Sequence, residues 1–157
     1  MEEHYLAYLS LLGGLNSDLE QLTSLAQQKT DAVRQDDLMA LDEVLKQEQA
    51  MSLTLRGLEQ KRLALISQLG LEGVSLSDLS SRYPAELRAQ AKEAAETVQR
   101  TYKVYCSAAD AARITLECNL HEIEKFIASA GGAPTEGAGY TPPNTEPPKK
   151  MKTDFRA

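Results

Sequence analysis

Three observations on this 157-residue chain predict an all-α protein: an elongated antiparallel helical hairpin plus a long third helix, forming a three-helix bundle or coiled coil with a disordered C-terminal tail. Apolar residues recur every three or four positions over three long stretches, which lays them along one stripe of an α-helix. Five of the six prolines and four of the nine glycines fall after Ala130, so the long stretches are nearly free of helix breakers. Aromatic residues make up only 5% of the chain, while 42% is apolar and carried largely by Leu and Ala, which favours thin packed helices over a globule with a deep pocket.

The first helix is expected over about residues 3–34. Tyr5, Tyr8, Leu12, Leu15, Leu19, Leu22, Ala26, Lys29 and Val33 alternate spacings of three and four, a heptad seam suited to lying along another helix. Leu6, Leu9, Leu11 and Leu25 widen the stripe, so this helix is expected to touch more than one neighbour. Gly13 and Gly14 each weaken it by about 1 kcal/mol relative to Ala and mark either a bend or a close approach.

Only Gln35 and Asp36 separate this seam from a second helix over 37–69. So short a connection makes antiparallel neighbours. The alternative is one continuous helix, since neither Gly nor Pro stands at the junction. The second stretch is the one around which the chain is expected to be organised. Its seam is Leu38, Leu41, Val44, Leu45, Met51, Leu55, Leu58, Leu65 and Leu69. Asp36 and Asp37 suit its first orphan amides, and Gly70 suits a left-handed residue at its end.

Residues 70–83, GLEGVSLSDLSSRY, read as a connector in which Ser75 and Ser77 cap a short turn carrying Leu79. Pro84 suits the first position of a third helix reaching about Ala130. Its seam is Leu87, Ala91, Ala94, Val98, Tyr102, Tyr105, Ala109, Ala112, Leu116, Leu120, Ile123 and Ile127. At roughly 70 Å this helix outruns its partners, and its bulky end, Leu116, Leu120, Ile123, Phe126 and Ile127, is expected to overhang as a binding surface. The alternative is burial of those five in the chain's own bundle or a homodimer. The bundle is thus assigned residues 1–130 and the Pro/Gly-rich tail 131–157, whose spaced anchors Tyr140, Met151 and Phe155 accompany a basic cluster at Lys149, Lys150 and Lys152.

A net charge of −6 argues against a nucleic-acid footprint and against electrostatic attachment to an anionic membrane. No apolar run approaches a transmembrane span, and the acidic start, MEEHYLAYLSLLGGL, is unlike a signal peptide, so a soluble, cytoplasmic chain is expected. Cys106 and Cys118 lie 12 positions apart on one helix, roughly 18 Å along its axis and beyond disulfide reach. They read as free thiols and small buried residues. No catalytic constellation, cofactor loop or metal cluster can be assembled, so no enzyme is expected. His121, with Glu117 and Glu124 on its face, lacks the spacing of a di-iron site and reads as a solvated face. The Tyr102–Tyr105 pair reads as core.

From the first helix to Leu79 the chain resembles the FlgN family of flagellar type III export chaperones. The resemblance is most specific in QDDLMALDEVLKQEQ followed by LRGLEQKRLALISQLGLEGVSLSDL, above all Leu58-Glu59-Gln60-Lys61-Arg62 and Leu69-Gly70-Leu71. The third helix departs from the family pattern in being alanine-rich, with Asn119 as its only asparagine. The resemblance implies a chaperone that uses no cofactor, binds terminal amphipathic helices of flagellar hook-associated proteins, prevents their premature assembly and delivers them to the export gate. The overhanging residues Leu116, Leu120, Ile123, Phe126 and Ile127, extended by the tail, are then the expected client surface, and the resemblance makes Tyr140, the only tyrosine past the third helix, the candidate for an export-gate contact. Two other readings stand beside it: a self-associating coiled-coil scaffold, and a secretion-linked regulator acting through its tail.

Overall fold

The computed structural model describes residues 1–131. Three long helices carry the described chain: α1 (Glu2–Arg34), α2 (Leu38–Leu69) and α3 (Arg88–Ser129). A single 3₁₀ turn, Leu79–Arg82, lies in the connector before α3.

The hairpin reading holds. Asp36 adopts φ 52°, a left-handed conformation that a short polar side chain tolerates, and this turns the chain without Gly or Pro. Asp37 then caps α2, its Oδ1 accepting from the Ala40 amide at 3.0 Å. Gly70 ends α2 at φ 64°, the left-handed geometry its position predicts. Lys29 on α1 and Glu48 on α2 meet at 2.8 Å and fix the antiparallel register. At Gly13 and Gly14 an added Cβ would meet nothing within 4 Å, so neither serves a close approach.

The organising helix is α1, not α2. Eleven residues of α1 are buried, among them Tyr8, Leu12, Leu15, Leu19, Leu22 and Val33 of the predicted seam. On α2 only Val44 and Leu69 are fully buried, while Leu38 is 77% exposed and Leu45 is exposed as well. The cause is the arrangement of neighbours: α1 packs against both α2 and α3, whereas no Cα of α2 comes within 8 Å of one on α3. A helix with two neighbours buries a wide stripe; a helix with one leaves half its seam open.

α3 begins at Arg88 instead of Pro84. Residues 84–87 form a turn closed by the Leu87 amide on the Pro84 carbonyl at 2.9 Å, and Arg88 Nε donates to the Tyr83 carbonyl at 3.0 Å. The short turn carrying Leu79 forms, but neither serine caps it: Asp78 stands at its N-cap and no side chain bonds its first amides. Ser75 Oγ accepts from the Asp78 amide, and Gln99 Nε2 of α3 donates to Ser77 Oγ, both at 3.2 Å. Its apolar residues Leu71, Leu79 and Tyr83 join Tyr8, Leu12 and Leu15 of α1 and Ala91 and Val98 of α3 in the main core. Tyr83 stacks edge-on against Tyr5 with ring centroids 4.7 Å apart, and its hydroxyl donates to the Tyr5 carbonyl at 3.2 Å. Since Tyr83 precedes α3 and Tyr5 opens α1, while Tyr105 packs on Leu22 and Leu25, α1 and α3 run parallel.

Burial raises the ionisation of the Tyr83 and Tyr8 hydroxyls above the ordinary tyrosine range, opposed at Tyr8 by Arg62. A raised folded value means that the folded chain keeps a proton the unfolded chain gives up. This stabilisation is complete below about pH 10 and is lost as pH climbs toward the folded values. Urea unfolding should therefore give a flat stability from pH 7 to 9 and a fall above 10. Tyr83→Phe should make that fall shallower by up to about 1.4 kcal/mol per pH unit; an unchanged slope would show that Tyr83 ionises freely in the fold.

Candidate functional site

Two surfaces stand out: one follows from α3 being longer than the helices beside it, the other from the gap between α2 and α3. Tyr105 lies at the level of Leu22 and Leu25, so α1, ending at Arg34, runs out beside about residues 114–117 of α3. Leu116 is accordingly half-buried, and every residue from Leu120 to Gly131 is exposed. The overhang projects roughly 15 Å beyond the hairpin turn.

Its apolar residues are those the sequence singles out. Leu120, Ile123, Phe126 and Ile127 are exposed by 58, 48, 73 and 50%. At 100° per residue Leu116, Leu120, Ile123 and Ile127 share one face with Tyr102, Tyr105, Ala109 and Ala112, within a sector of about 80°. The stripe that α3 buries against α1 thus continues past the end of α1 with nothing of the described chain covering it. Glu117 and Glu124 flank it, and Glu117 Oε1 accepts from Arg113 Nη1 at 3.0 Å. Leu38 and Met39 at the start of α2 are exposed at the same end of the bundle.

The second surface is the fork between α2 and α3. It is an open groove of about 500 Å³, floored by Leu11, Leu15, Leu19 and Leu22 of α1. Leu55, Arg56, Leu58, Glu59 and Arg62 of α2 form one wall, and Tyr102 and Tyr105 of α3 the other. Glu59 holds Arg62 through two hydrogen bonds of 2.8 and 2.7 Å, which keeps the guanidinium firmly protonated. Burial raises the Tyr105 hydroxyl, with the Glu48 carboxylate adding to it. At Tyr102 a hydrogen bond with Cys106 is the larger cause and desolvation the second. The tyrosine pair, predicted as core, is therefore only partly buried and lines a furrow; its spacing in the sequence is identical in the two cases.

Chemistry for catalysis or metal binding does not assemble among the described residues. No group of three His, Cys, Asp or Glu side chains is placed to hold a metal ion. His121 and its neighbours Glu117 and Glu124 are all exposed. Both thiols are free, but neither is buried as expected: Cys106 is half-buried, and Cys118 is exposed because it lies on the opposite side of α3 from the stripe that faces α1. No described helix is long and apolar enough to cross a membrane. Tyr140 lies outside the described residues.

What the described residues form is a three-helix bundle with apolar helix surface at one end that no other described residue covers. Comparison with known proteins agrees with that reading. The family model described as FlgN protein matches residues 5–148, spanning all three helices and part of the tail. No curated protein and no solved structure matches the chain. The family is one of chaperones, not of enzymes. With nearly its whole length matched, the chain belongs to the FlgN family of flagellar export chaperones.

Proposed function

We propose that this chaperone acts in the cytoplasm on flagellar hook-associated proteins, covering their terminal amphipathic helices until they reach the export gate. The observation that carries the reading is the overhanging stripe of Leu116, Leu120, Ile123, Phe126 and Ile127, an apolar helix face continuous with the core yet without a partner in the described chain. A client helix laid on it replaces α1 as the neighbour of α3, and helix-in-groove packing of this kind selects amphipathic segments by their i, i+3, i+4 and i+7 anchors. Glu117 and Glu124 beside the stripe favour a client helix with basic flanks. Contact with the export gate falls to Tyr140 in the tail.

Size-exclusion chromatography with light scattering tests this directly. The full chain mixed with a hook-associated protein from the same cell is expected to form a defined complex. That complex should vanish when the client's terminal helix is removed. A stable homo-oligomer that ignores every hook-associated protein would make the chain a self-associating scaffold instead.

A further inference from the structure

The tip of α3 and residues 149–157 carry opposite signs. From Glu117 to Ala130 the helix has three acids, Glu117, Glu122 and Glu124, against the single base Lys125, and all four are exposed. Arg113 engages Glu117 at 3.0 Å and Asp110 at 3.9 Å, whereas Glu122 and Glu124 enter no ion pair among the described residues. Residues 149–157, KKMKTDFRA, hold four basic side chains, Lys149, Lys150, Lys152 and Arg156, against the one acid Asp154. No other stretch is as densely basic in a chain whose net charge is −6. Met151 and Phe155 stand among these charges, four positions apart. Gly131 takes φ 73° just past α3, the left-handed conformation that stops a helix and turns the chain off its axis. Residues 132–148 then separate that turn from Lys149. A coil of this length spans about 23 Å on average. The middle of the overhang stripe, at Ile123, lies only about 10 Å back along the helix from Ala130, whereas Tyr105 in the wall of the fork lies about 37 Å back.

We propose that residues 149–157 fold back onto the overhang of their own chain when no client is bound, Met151 and Phe155 resting on Leu120, Ile123 and Ile127 and the lysines meeting Glu124 and Glu117. The stripe is then covered by a weak internal occupant that a client helix must displace. Tethering makes weak contacts sufficient. A short linker presents its segment at about millimolar effective concentration. Against an intrinsic dissociation constant of about 0.1 mM, that covers the stripe about nine-tenths of the time and lowers the apparent affinity of any competitor about tenfold. The tail of a second molecule, present at micromolar concentration, competes about a thousandfold less well. Opposite charge gives the contact its direction, since the acidic edge of the stripe repels other acidic parts of the chain and attracts this one. The inference goes beyond the client reading: it needs only the overhang and the tail, and it holds or fails whether or not that surface takes a hook-associated helix.

The chain has no tryptophan, so Phe155→Trp in the full chain places a single fluorescent reporter in the docking segment. Its emission is expected to lie to the blue of solvent-exposed tryptophan and to stay there on dilution. Leu120→Gln with Ile123→Gln should return it to the solvent value, circular dichroism checking that helicity is kept. Lys149→Glu, Lys150→Glu and Lys152→Glu together should do the same from the other side of the contact. Deleting residues 149–157 should tighten binding of a synthetic peptide carrying the terminal helix of a hook-associated protein about tenfold, read by calorimetry. Solvent-like emission in the full chain would overturn the tail contact, whatever the peptide does. A blue shift that survives both sets of substitutions would overturn it too, and one that fades on dilution would assign the contact to a second copy. Emission that shifts only when phosphatidylglycerol vesicles are added would assign the basic segment to an anionic membrane and overturn the proposal. A blue shift removed by both sets, with no peptide binding to either chain length, would uphold the tail contact and overturn the client reading instead.

Discussion

Replacing Leu120 and Ile123 together by Gln is expected to weaken client binding at least 100-fold while leaving far-UV helicity and the urea midpoint unchanged. Both side chains lie beyond the end of α1, are about half exposed and belong to no core cluster of the described chain. Removing them from the free protein therefore creates no cavity, and Gln is nearly as good a helix former as Leu. Surface substitutions of this kind shift stability by within about 0.5 kcal/mol. In a complex the same positions sit at the middle of the stripe, where two truncated apolar anchors cost about 3 kcal/mol or more. Calorimetry and circular dichroism on the same preparation read both quantities. If helicity collapsed with binding, the two residues would belong to the fold and the overhang would not be the client surface.

Tyr83→Ala should be the most damaging single change to the fold, costing about 3–5 kcal/mol. The ring is 1% exposed and joins connector, α1 and α3 in one cluster. Its loss would empty an aromatic-sized space, abolish the edge-on contact with Tyr5 and remove the hydrogen bond from the Tyr83 hydroxyl to the Tyr5 carbonyl. Against a total stability of about 5–15 kcal/mol this is a large share. The urea midpoint is expected to drop by about 2 M, given a slope of about 1–3 kcal/mol per molar for a domain of this size. A loss below about 1 kcal/mol would mean that the connector contributes little to holding α3 on the hairpin.

Periodicity made the elements legible but not their partnership. The α1 seam at Tyr8, Leu12, Leu15, Leu19 and Leu22 is buried as its spacing predicts. The α2 seam is looser, with gaps of six residues from Leu45 to Met51 and seven from Leu58 to Leu65, and its Leu38 and Leu45 are exposed. Spacing shows which face of a helix is apolar; it does not show which helix gains a second neighbour. At the start of α3, the helix-start preference of Pro84 was outweighed by the Pro84–Leu87 turn and the hold of Arg88 on Tyr83. The overhang was legible because it follows from length: a third helix longer than its partners must run past them. The fork was not. Tyr102 and Tyr105 recur on the seam like core residues, and only the gap between α2 and α3 turns them into a wall.

The parallel pairing of α1 with α3 has a consequence in time. As the chain is synthesised, α2 can fold back on α1 once Leu69 has emerged, but the other flank of α1 must wait for the connector and then for α3 as far as Ala112. At about 5–20 residues per second that interval is on the order of 2–9 seconds. Throughout it, the leucines that later floor the main core stand open on a hairpin with one side finished. The nascent two-helix stage, rather than the completed bundle, is where this chain is most exposed to aggregation, and crowding of ribosomes on one message would aggravate it.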